Sequence, residues 1–69
     1  MDHYSHTTGR TVAVGSTVVV RTVDGDSEPV TWDGMGGTGA VQDWFFTRHD
    51  GSRAMVRGLD VLDLIPVAS

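Results

Sequence analysis

The stretch Asp43 to Arg57, DWFFTRHDGSRAMVR, decides the fold. It sets Trp44-Phe45-Phe46 a few residues before an Asp50-Gly51 turn signal. Two hairpin registers compete for it. A two-residue type I′ turn would pair Arg48 with Arg53, and like charges directly opposite are unfavourable. It would also put Phe46–Met55 and Trp44–Arg57 on one face, mixing apolar and charged groups. A three-residue loop, His49-Asp50-Gly51, with a left-handed Gly51 in a bulge, instead pairs Arg48 with Ser52, Phe46 with Ala54 and Trp44 with Val56. The other face then pairs Thr47 with Arg53, Phe45 with Met55 and Asp43 with Arg57. A one-residue slip turns every side chain over, so this cleaner sorting selects the second register. It predicts that Trp44 and Phe46 point inward, with small Ala54 making room for the ring opposite. Phe45 and Met55 then share the outer face, bracketed by Arg53 and Arg57. Either the N-terminal arm or a loop covers them, or they form an apolar patch with an arginine rim, as partner-binding surfaces do.

Outward from the hairpin, the chain reads as strands. Thr17 to Val23, TVVVRTV, is rich in β-branched residues and places Val18 and Val20 on one face, read as core. Asp24-Gly25-Asp26 punctuates its end. Glu28 to Trp32 is a short second extended piece, with Pro29 confined to a strand start or an edge. Asp33 to Gly39 holds four glycines in seven residues and reads as a flexible loop. It is not a phosphate cradle, because no Gly-Lys-Ser/Thr ending and no helix follow it. Gly58 to Val61 predicts one 3-10 turn, and Leu62 to Ile65 a last strand stopped by Pro66. Residues 1–10 are polar and aperiodic and read as a flexible arm. Asp2, His3 and His6 on that arm are a weak metal pattern, and both histidines are expected to face solvent. Neither a metal nor a cofactor is expected.

At 69 residues the chain is one small domain, of a size that buries only about 60% of its unfolded surface. It has no cysteine, which rules out disulfides and thiolate metal sites. No signal pattern opens it, and no apolar run approaches the roughly 20 residues of a membrane span. Five arginines against nine acids give a net charge of −4, a poor footprint for nucleic acid. Asp24, Asp26, Glu28 and Asp33 fall in a segment without a base. They are either solvated loop charge or an acidic lobe that docks on something cationic. The absence of Lys and Asn, with abundant Val and Thr, suggests a GC-rich genome such as an actinobacterium or its phage.

The order of elements resembles the small SH3-like barrels, including Tudor-like and KOW-like modules. The matching residues are Val14-Gly15-Ser16-Thr17-Val18-Val19-Val20-Arg21, then Gly39-Ala40-Val41 opening a central strand, then Met55 to Pro66 as strand, tight turn and closing strand. The resemblance covers 12 to 67 and implies an all-β, five-stranded barrel over 11–69 behind the arm at 1–10. It does not extend to polyproline-binding signalling domains, whose aromatic run and groove are missing.

Catalysis needs a nucleophile and base, or tuned carboxylates, in a pocket, and His49-Asp50 sits on a turn tip. No enzyme activity is therefore expected. The expected function is protein–protein interaction, as a small subunit of a larger assembly, through Phe45, Met55, Arg53 and Arg57. A cytoplasmic or virion-associated location goes with it. The alternatives are a phage structural component or acidic inhibitor of a host enzyme, a nucleic-acid module, and a carbohydrate-binding module centred on Trp32 and Asp33.

Overall fold

The computed structural model describes residues 2–37 and 42–67. Among these residues eight strands run β1 (Asp2–Ser5), β2 (Arg10–Ala13), β3 (Thr17–Thr22), β4 (Gly25–Asp26), β5 (Val30–Gly36), β6 (Asp43–Thr47), β7 (Arg53–Arg57) and β8 (Val61–Pro66). One 3-10 turn, Gly58–Asp60, precedes β8, where the Gly-Leu-Asp-Val stretch predicted it. No helix among the described residues is long and apolar enough to cross a membrane.

The fold is all-β, but it differs from a five-stranded barrel. A two-stranded sheet joins β1 to β2, and a six-stranded sheet runs β4-β3-β5-β6-β7 with β8 also on β3. The larger sheet curls into a half-barrel. β3 is its hub. Thr17 and Val18 pair with β5, and Arg21 and Thr22 with β4. β8 runs along it from Val18↔Pro66 to Thr22↔Val61. The extra strands come from two stretches whose polar composition hides their pairing. One is the 2–13 hairpin; the other is the two-residue β4, folded back on β3 by the Asp24-Gly25 turn.

The N-terminal stretch is corrected most. The residues read as a flexible arm enter a hairpin, with Asp2↔Ala13, His3↔Val12, Tyr4↔Thr11 and Ser5↔Arg10 in register. Gly9, at φ 70°, makes the return, and its N–H donates to the Ser5 carbonyl at 2.8 Å. What holds this hairpin is Val12, buried in the core, and the contacts of β1 and β2 with β8.

The glycine-rich stretch is corrected as well. Asp33 to Gly36 continue β5 rather than opening a loop, and Gly39-Ala40-Val41 lie outside the described residues. A bulge between Trp32 and Gly34 inserts one residue, with Gly34 at φ 118°. The insertion switches parity. Trp32 pairs with Phe46, but Met35 pairs with Trp44, so an even and an odd position both face inward. That break in alternation is why the strand is not visible in the sequence.

The core is Val12, Val18, Val20, Val30, Trp32, Phe46 and Leu64, with Met35, Trp44, Ala54, Val56 and Val61 packed against it. Val18 and Val20 are buried as their alternation predicts. Each such side chain contributes about 1.5–3 kcal/mol.

Candidate functional site

The β6–β7 hairpin has the register selected from the sequence: Asp43↔Arg57, Trp44↔Val56, Phe45↔Met55, Phe46↔Ala54 and Thr47↔Arg53. The Arg48 N–H donates to the Ser52 carbonyl at 2.7 Å, and the Gly51 N–H to the Arg48 carbonyl at 2.9 Å. Gly51 stands at φ 88°, the left-handed conformation that the three-residue loop requires. Asp50 accepts from the Ser52 hydroxyl and the Ser52 N–H, which hold its carboxyl below the ordinary carboxylate range.

The four expected contact residues lie on this hairpin and share its outer face. Met55 is 61% exposed, and Arg53 and Arg57 are exposed beside it. Phe45 is half-buried. Its ring lies over Gly36, where an added Cβ would stand 2.8 Å from a ring carbon. The patch is therefore partly self-covered, with the Phe45 ring lying against a strand glycine. Asp43 and Arg57 face each other in register, but the arginine–carboxylate pair that closes among the described residues is Arg21–Asp26. Exposed cross-strand charges of this kind contribute little as a discrete bond.

Behind β7 a cleft of about 370 Å³ opens between the inner face of the hairpin and segment 22–28. Val20, Val30, Phe46, Ala54 and Val56 form its apolar floor. Asp24, Asp26 and Glu28 stand on the far rim and Arg48 on the near one. Asp26 is spoken for: Arg21 Nε and Nη2 reach its two oxygens at 2.9 and 3.2 Å. The Arg21 hydrogen bond holds the Asp26 carboxyl below its ordinary range. Asp33, the fourth acid of the expected cluster, lies on β5 and accepts from the Thr47 hydroxyl.

Trp32 is 0% exposed and has no face to offer a sugar ring. It stacks on Trp44 at 5.7 Å, with the rings 24° apart. The edge of His3 meets Trp44 at 5.4 Å and Trp32 at 6.5 Å. The expectation that His3 faces solvent is thus corrected, while His6 is exposed.

Sequence reasoning missed the polar cluster around Asp63. This carboxylate is 3% exposed. It receives His3 Nε2 at 3.0 Å, the Ser5 hydroxyl at 3.0 Å and the Thr7 N–H at 2.9 Å. Burial pushes its pKa up, but the donors from Thr7, His3 and Ser5 outweigh burial and hold it far below the ordinary value of 3.8. Serine, histidine and aspartate meet here in the wrong order for nucleophilic catalysis. The carboxylate sits between the other two, so the Ser5 hydroxyl gives its proton to Asp63 and not to an imidazole. The cluster is a clasp joining β1 to β8. The available signal was one acid, Asp63, in an otherwise apolar closing run.

No protein-family model, no curated protein and no solved structure matches this chain.

Proposed function

We propose that this protein is a non-catalytic protein–protein interaction module, built on an SH3-like plan and serving as a small subunit of a larger assembly. The plan is supported by the strand sequence β3, β5, β6, β7, a 3-10 turn and β8 returning to β3. The observation that carries the function is the outward Phe45–Met55 pair, with Met55 61% exposed and flanked along its own strand by Arg53 and Arg57. Large apolar and arginine side chains together are what distinguish the buried centre of an interface from ordinary surface. The net charge of −4 and the GC-rich composition support a phage or actinobacterial setting, cytoplasmic or virion-associated.

Affinity capture from native-host lysate tests it. The wild type retains proteins that a Met55→Ser/Arg53→Glu/Arg57→Glu variant, matched in melting behaviour, does not. Identical sets on both would remove the patch as a binding surface.

A further inference from the structure

We infer that the protein binds its partner by adding a strand to β7, taking an extended acidic–apolar–acidic segment antiparallel along that edge. This rests on the interaction reading above and names the partner's chemistry.

The edge comes first. Among the described residues β7 pairs with β6 alone. The Arg48–Ser52 pair is hydrogen-bonded, and alternation along an antiparallel ladder makes 46/54 and 44/56 the bonded pairs after it. The N–H and C=O groups of Arg53, Met55 and Arg57 therefore point away from β6. Arg48 Nη1 caps the Arg53 carbonyl at 3.2 Å. Met55 keeps both backbone groups directed outward and Arg57 its N–H, the Arg57 carbonyl being the cap of the 3-10 turn, and these free groups are the template an added strand reads.

The side chains then set the pattern. On an incoming strand, residues opposite Arg57, Met55 and Arg53 share the outer face, and charge complementarity makes them acidic, apolar, acidic. The two between them stand opposite Val56 and Ala54 and point into the 370 Å³ cleft, whose floor is apolar. Asp24 and Glu28 on the far rim, with Asp26 already paired to Arg21, repel an acid from those inward positions. A second copy of this chain does not fit. Antiparallel β7 on β7 centred at Met55 would set Arg53 against Arg57 at both ends.

The test uses the full chain and a nonapeptide, Ser-Thr-Glu-Leu-Val-Leu-Glu-Thr-Ser. At saturation the peptide slows amide exchange at Met55 and Arg57 about tenfold, by the protection that a new ladder confers. Replacing both peptide glutamates with lysine weakens binding at least tenfold, and N-methylating the central valine amide abolishes it. Equal binding by the N-methylated peptide, or unchanged exchange at Met55 and Arg57 with every peptide, overturns strand addition. The two readings fail separately. If the charge-reversed variant loses its lysate partners while the peptide leaves those amides untouched, the patch binds through side chains and only the strand-addition inference falls.

Discussion

Asp63 is a charge held in the interior by three donors from the chain's other end. Asp63→Asn keeps one acceptor oxygen but turns the other into an amide that itself donates, so either His3 or the Thr7 N–H loses its acceptor. The expected cost is about 2–4 kcal/mol. In a domain this small that lowers Tm by at least about 10 °C, readable by circular dichroism. The pH dependence follows from the direction of the shift. Folding depresses the Asp63 pKa, so its contribution is complete above the unfolded value near 3.8 and is lost as pH falls below it. Urea titrations at pH 7 and pH 3 should show wild-type stability falling on acidification, with a smaller fall in Asp63→Asn. The exposed Asp26 and Asp50 shift in the same direction and remain in both proteins. An equal fall in the two proteins would deny Asp63 that role. Gly58 sets a second residue-scale limit. A Cβ there would lie 2.7 Å from Trp44 Nε1 and 3.0 Å from the Gln42 carbonyl. Gly58→Ala should therefore cost about 1–3 kcal/mol by displacing the indole edge, and should change the tryptophan emission.

At the scale of elements, the β6–β7 hairpin was legible because two independent constraints agreed on it. Segregating apolar from charged pairs and avoiding Arg48 opposite Arg53 selected the same loop, and Gly51 then had to be left-handed. Gly51→Ala keeps that φ at a steric cost of about 1–2 kcal/mol, to be read as a shift in denaturation midpoint with unchanged m-value. β5 was legible only to Trp32. Past that point its parity changes at a bulge, and a period-two reading cannot follow an insertion it does not know about. The β1–β2 hairpin was illegible for a different reason. Its first strand is polar, although Thr11 to Val14 reads as β-branched, and the pairing draws its energy from Asp63 and the core around Val12, distant in sequence. The candidate residues Phe45, Met55, Arg53 and Arg57 could be assigned to one outer face because they belong to the legible hairpin. The cleft behind them was hidden, because segment 22–28 approaches it through tertiary packing alone.

For the whole molecule, the clasp makes the first strand part of the domain. Deleting residues 1–9 leaves Asp63 buried without Ser5, His3 or Thr7 and uncovers the Trp32–Trp44 stack. The truncated protein should lose its cooperative melt and expose tryptophan to quenchers, whereas a flexible appendage could be removed without effect. β8 adds a second long-range closure. Val19 pairs with Ile65 and Val20 with Leu64, so the hub strand waits for partners made some 45 residues later. Pairings this distant form slowly, because loop closure must precede the contacts that reward it. A ribosome translating this message can therefore release a folded product only after Pro66 has emerged, and until then the nascent chain carries its aromatic segment unprotected.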